Sequence, residues 1–222
     1  LGSATVALLV DATATNNSVK KVAADVNAVK DSTGIEAVAI TKGKISGVSA
    51  AGKVSFDLVG NHTAGAAATS YDVTATLAAT SDLDPLVDAI NAHAANTGIT
   101  AVLGSAASEI ILTHQTGETI EITNVKVVTT DGTMVLTALD KFGNAVTAKD
   151  TTLSRAANSA TAKITLGNQA TTGVKARGHV LGQMTLNSIK SFTVTGDDAT
   201  AEEGLFHTAQ SYTGQTTTGG TA

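Results

Sequence analysis

Histidine and acidic side chains are the groups in this sequence best suited to metal binding or proton transfer. None of the five histidines has a partner at H-x₃-H or H-E-x-x-H spacing, the usual signature of a zinc site. The acidic pairs near the C-terminus lack the order of a calcium loop. The sequence therefore predicts no metal site and no cofactor. The histidines are His62, His93, His114, His179 and His207, and the acidic pairs are Asp197-Asp198 and Glu202-Glu203.

Nucleophilic and phosphate-binding motifs are also missing from the sequence. The chain has no cysteine, and its many serines and threonines include no G-x-S-x-G elbow. Its glycines do not follow the order of a P-loop or of a dinucleotide-binding turn. We expect no catalytic residue and no enzymatic activity.

Charge and hydropathy narrow the range of partners. The formal net charge is −5, which opposes binding to nucleic-acid phosphates. The longest apolar run, "VALLV" at 6–10, is far shorter than the roughly 20 residues of a membrane span. Aromatic residues make up 3% of the chain, so Val, Ile, Leu and Ala must form the core. Neither a nucleic acid nor a membrane is expected as a partner.

A repeated segment is the most informative feature. The stretches "AADVNAVKDSTGIEAV" at 23–38 and "VDAINAHAANTGITAV" at 87–102 align without a gap at an offset of 64 residues. A structural module is more often duplicated in one chain than a reactive site is. The identical pairs are Asn27/Asn91, Ala28/Ala92, Thr33/Thr97, Gly34/Gly98, Ile35/Ile99, Ala37/Ala101 and Val38/Val102.

Each copy is predicted to contain an amphipathic helix, over 19–31 and over 85–96. In the first helix Asn17 or Ser18 is suited to the N-cap position; in the second, Asp84 is, with Pro85 at the first helical position. We expect Gly34 and Gly98 to end the helices, since glycine enters the left-handed conformation without steric cost. A strand should begin at the isoleucine that follows.

The flanking sequence predicts an α+β fold. Strands are expected at "KVSFDLV", "YDVTATL" and on both sides of a 115–118 turn, giving a β-β-α-β-β-β module with a mostly antiparallel sheet. The 64-residue offset places "ALLVDAT" and "KISGVS" as the counterparts of the second copy's strands. From about 132 onward the pattern is all-β, with a tight turn in "DKFGNAV". The predicted regions are a first module at 1–60 whose leading strand precedes the chain, a second at 52–130, an all-β region at 131–200, and a flexible polar segment at 201–222.

The repeated segment resembles the insertion motif of bacterial flagellins, N-A-x₄-T-G-I/V-x-A, which occurs in the outer domains of flagellins and of the filament-cap protein. The stretch 182–206 also resembles the segment that precedes the C-terminal helices of many flagellins. This resemblance implies that Asn27, Thr33, Gly34, Ile35, Asn91, Thr97, Gly98 and Ile99 form a structural motif. It implies a secreted, extracellular filament component that supports motility and contacts neighbouring copies through terminal helices outside this chain.

Two other functions are compatible with the sequence. A hook-associated filament cap or a surface adhesin would bind glycans or host receptors, and "LDKFGNAV" resembles bacterial immunoglobulin-like adhesin modules. Few aromatic residues are available to form a sugar groove, and Phe56 and Tyr71 are expected in the core. An enzyme ranks last. The absence of an initial methionine and the polar tail make us expect that the chain is part of a longer protein.

Overall fold

A computed structural model describes residues 19–61, 69–128, 132–146, 163–167, 177–189 and 191–192. Several predicted features lie outside these residues. They are the Asn17 or Ser18 cap, the "ALLVDAT" strand, His62, His207, the acidic pairs at 197–198 and 202–203, most of the segment 182–206 beyond 192, and the tail at 201–222.

The described helices are short and lie in the two copies of the repeat. None of them is long and apolar enough to cross a membrane. A break at Val29 and another at Ala92-His93 divide each predicted helix into two pieces. The helices are α1 (Val19–Ala28), α2 (Lys30–Thr33), α3 (Asp84–Asn91) and α4 (Ala94–Thr97).

The predicted cap of the second helix is wrong. Asp84 is the first residue of α3, and Leu83 precedes the helix without a side-chain capping bond. Leu83 is fully buried, so the start of the helix is held by core packing. Pro85 is therefore the second residue of the helix and not, as predicted, the first, and it still lies in the first turn.

Ten strands are described, and every pairing between them is antiparallel. The fold is therefore α+β with antiparallel sheets. The strands are β1 (Ile35–Ser46), β2 (Gly52–Val59), β3 (Tyr71–Leu77), β4 (Ile99–Leu103), β5 (Ile110–His114), β6 (Ile120–Val127), β7 (Thr133–Leu139), β8 (Lys163–Gly167), β9 (Arg177–Val180) and β10 (Gln183–Ser188).

The strands form two sheets, and the chain passes back and forth between them. The six-stranded sheet has the order β4-β5-β1-β7-β8, with β10 paired to the first half of β1. The four-stranded sheet has the order β3-β2-β6-β9. Strands from the predicted all-β region thus pair with strands from both predicted modules. Each sheet therefore contains strands from more than one of the expected regions.

One hydrophobic core joins the buried faces of both sheets. It is built almost entirely from aliphatic side chains, with Phe56 as its buried aromatic ring. Helix α3 contributes Leu86 and Ile90, each fully buried, and contacts both β3 and β4. Because β3 and β4 belong to different sheets, α3 covers the gap between the two sheets at one edge.

A second, smaller core lies beneath α1. Ala23 packs there with Ala37 and Ala39 of β1, and Met184 and Leu186 of β10 lie alongside. Alanine side chains bury little apolar area, so this core stabilises its helix less than the main core stabilises α3. The long strand β1 connects the two cores, since its first half pairs with β10 and its second half with β5 and β7.

The two copies of the repeat diverge after residues 39 and 103. In the second copy the chain turns back at Gly104, whose N–H donates to the Glu109 carbonyl at 2.7 Å, and β5 returns beside β4. In the first copy Ile40-Thr41 stands where Gly104-Ser105 would align, and β1 runs on without a turn. The first three residues of the predicted counterpart "KISGVS" are therefore the end of β1, and its other three follow the strand.

Candidate functional site

The two asparagines of the repeat each fasten a helix to a strand. On α1, the Asn27 Nδ2 donates to the Ala37 carbonyl at 2.9 Å, and its Oδ1 accepts from the Ala37 N–H at 2.8 Å. The side-chain amide thus satisfies both backbone groups of one strand residue, as a neighbouring strand would. We call this pair of hydrogen bonds the asparagine clamp.

The second copy repeats the asparagine clamp at nearly identical distances. The Asn91 Nδ2 donates to the Ala101 carbonyl at 2.9 Å, and its Oδ1 accepts from the Ala101 N–H at 2.8 Å. Ala37 and Ala101 are themselves a matched pair of the repeat, and both are buried. The sequence identities at these positions therefore correspond to one local geometry that occurs twice.

A threonine and a glycine form the corner between helix and strand in the first copy. The Thr33 hydroxyl donates to the Val29 carbonyl at 2.9 Å and accepts from the Ile35 N–H at 3.2 Å. Gly34 has φ +69°, and its N–H donates to the Lys30 carbonyl at 2.7 Å. The left-handed glycine ends the helix as predicted, and the threonine links the last helical turn to the first strand residue.

The corner of the second copy has the same bonds. The Thr97 hydroxyl donates to the His93 carbonyl at 3.0 Å and accepts from the Ile99 N–H at 3.2 Å. Gly98 has φ +72°, and its N–H donates to the Ala94 carbonyl at 2.8 Å. The eight predicted motif residues therefore lie in two matching sets, each made of one asparagine clamp and one corner.

The two corners differ in their burial. Thr97 and Ile99 are fully buried, whereas Thr33 and Ile35 are only partly buried. A Cβ added to Gly98 would come within 2.5 Å of the His114 Nε2, while the same addition at Gly34 meets nothing within 4 Å. The second corner belongs to the main core, and the first corner lies at the surface over the small alanine core.

The three histidines among the described residues lie apart from one another. His93 is half-buried, with its Nε2 3.0 Å from the Asp72 carbonyl and its ring 5.5 Å from that of Tyr71. His114 is buried behind Gly98, and His179 is exposed on β9. Across the described ranges, no group of three or more His, Cys, Asp or Glu side chains is arranged to hold a metal ion.

Two buried carboxylates, Glu118 and Glu121, have no signal in the sequence. The Glu118 side chain is 5% exposed and forms an ion pair with the Lys20 Nζ of α1 at 3.3 Å. The Glu118 carbonyl accepts a hydrogen bond from the buried Thr41 hydroxyl at 2.6 Å. The ion pair between Lys20 and Glu118 joins α1 to the turn between β5 and β6. Nothing in the local pattern "QTGET" distinguishes Glu118 from an exposed turn residue, because its partners are distant in sequence.

The motif residues supply hydrogen bonds and packing at the two corners. Their hydrogen bonds join each helix to the strand that follows it. No protein-family model and no curated protein matches the chain.

Proposed function

We propose that this chain is the outer region of a bacterial flagellin and forms the exterior of a motility filament. The observation that supports this proposal best is the double occurrence of the asparagine clamp with its Thr-Gly corner. The flagellin-like sequence motif coincides with these hydrogen bonds at both positions. The two copies are, in this proposal, related modules that share their helix–strand corner and differ in the strands that follow.

A filament exterior needs a rigid body with a water-compatible surface. One continuous aliphatic core supports rigidity here, since it joins strands from distant parts of the chain. The negative net charge and the threonine-rich strands support solubility at the high local concentration of a filament surface. In this proposal the chain acts by folding into a stable body that forms the outer surface of the filament.

The proposal predicts amphipathic helices on both sides of residues 1–222 in the complete gene product. Those helices would assemble the filament, so the isolated chain should sediment as a monomer. A full-length protein lacking 1–222 should still form filaments, with a smaller diameter in electron micrographs. The absence of flanking helices, or filament growth by the isolated chain, would contradict the proposal.

A further inference from the structure

An open groove on the outer surface has the chemistry of a saccharide site. It runs beside the pairing of β1 with β10, where Val38 lies directly opposite Thr185. Gln115, just after β5, and Asn187, two residues beyond Thr185 on the same face of β10, also line the groove. Lys141, in the turn after β7, and the apolar side chains of Ala39 and Ile40 complete the lining. The groove therefore combines two amides, a hydroxyl and an ammonium group around one exposed valine.

An exposed aromatic ring adjoins this groove. Phe142 is 79% exposed, and the Lys141 Nζ lies 5.0 Å from the centre of its ring. The same ammonium group lies 3.4 Å from the Thr185 Oγ1, so Lys141 connects the ring to the groove. Ring faces of this kind pack against the C–H faces of sugars, while amides donate and accept hydrogen bonds to sugar hydroxyls.

The groove also carries positive charge in a negatively charged chain. The Lys42 Nζ donates to the Lys141 carbonyl at 3.0 Å, which brings a second ammonium group to the same turn. Lys20, Lys30 and Lys44 are each paired with a glutamate. In contrast, no carboxylate of the described residues forms an ion pair with either ammonium group at this turn.

The turn that presents Lys141 and Phe142 is held firmly. The Asp140 Oδ1 accepts from the N–H groups of Phe142 and Asn144, each at 2.8 Å, and its Oδ2 accepts from the Asn144 Nδ2 at 3.1 Å. A preorganised turn loses less conformational entropy when a ligand binds. The side chains of Gln115 and Asn187 make no hydrogen bond with another described residue, so their amides are available to a ligand.

We propose that this groove binds a carboxylated saccharide. The lysines would meet the carboxylate, the amides and the hydroxyl would meet the sugar hydroxyls, and Phe142 would contact the ring. This site goes beyond a structural role in a filament and does not depend on it. The carboxylate could belong to a sialic acid or to a uronic acid, since both present the same charged group on a pyranose ring.

The test is a titration of the ¹⁵N-labelled chain, observed by NMR, with N-acetylneuraminic acid and with glucuronic acid. Binding at about millimolar Kd by at least one acid is expected, with amide shifts at Val38, Lys141 and Asn187. Glucose, which lacks the charge, and propionate, which lacks the ring, should each bind at least about fivefold more weakly. Equal binding of either control compound, shifts confined to other residues, or no shifts with both acids would overturn the proposal.

Variants locate the site and separate it from a general charge effect. Lys141→Gln and Phe142→Ala should each raise Kd about fivefold or more. Lys53→Gln removes an exposed lysine on β2 and should leave Kd unchanged. Because Lys141 and Phe142 are exposed, these variants should keep the amide spectrum of the folded chain outside the groove. An unchanged Kd in Lys141→Gln, or an equal loss in Lys53→Gln, would contradict the assignment.

Discussion

Removing the second asparagine clamp should destabilise the main core. Asn91→Ala deletes two hydrogen bonds to Ala101, each contributing about 1 kcal/mol net. It also leaves the N–H and carbonyl of a buried residue without these partners, although water at the helix edge can reach part of the gap. We therefore expect the free energy of unfolding to fall by about 2–3 kcal/mol.

Urea denaturation followed by circular dichroism measures this loss. For a chain of this size the same change lowers Tm by roughly 5–10 °C. Asn96→Ala is the matched control, because it makes the same substitution at an exposed residue of the adjoining helix α4. The control should change stability by less than about 0.5 kcal/mol. A loss for Asn91→Ala no larger than that of the control would refute the structural role given to the clamp.

Removing the first asparagine clamp should destabilise only the part of the fold around α1. Asn27→Ala deletes equivalent bonds to Ala37, but α1 rests on the small alanine core. We expect hydrogen exchange to accelerate in α1 and in the first half of β1, while the main core keeps its protection. Loss of protection throughout both sheets would show that the two cores do not open separately.

Two further predictions concern the corner and the turn. Gly98→Ala should cost more than Gly34→Ala in urea denaturation: both positions carry the left-handed penalty of about 1 kcal/mol, but only Gly98 has His114 against it. Equal costs would contradict this. The hydrogen bond from the Asn144 side chain, followed by those from the turn N–H groups, lowers the pKa of Asp140 below its usual 3.8. The Asp140 hydrogen bonds therefore stabilise the fold fully above pH 3.8, and this stabilisation is lost as the pH falls through the lowered pKa of Asp140. Asn144→Ala should raise the pKa of the Asp140 carboxyl, measured by NMR titration. An unchanged titration would mean that Asn144 does not set this pKa.

The sequence predicted the local features because short-range chemistry determines them. Alternating apolar residues located β3 at 71–77 and β7 at 133–139, and the two glycines marked the helix ends. The pairing of the eight motif residues could also be read from the sequence, since an exact 64-residue offset is visible without any partner. Their hydrogen bonds to Ala37 and Ala101 were not predicted, because an identity does not reveal what it contacts.

Strand partners could not be predicted, because they depend on contacts between distant residues. Periodicity shows which face of a strand is buried, but it does not show which strand lies beside it. The turn at 115–118 therefore gave no sign that it leads from one sheet to the other. The repeat does not predict the continuous β1, because the two copies stop matching after residue 39. There Ile40-Thr41 stands in place of the Gly104-Ser105 turn.

The proposed role is tested most directly by locating this chain on cells of the organism that encodes it. Antibodies raised against the folded chain should be applied to intact cells and to sheared, purified flagellar filaments, followed by gold labelling and electron microscopy. The account predicts gold along the whole length of the filaments. Labelling of the filament tip alone would indicate a cap protein. Labelling of the cell body with bare filaments would contradict the account.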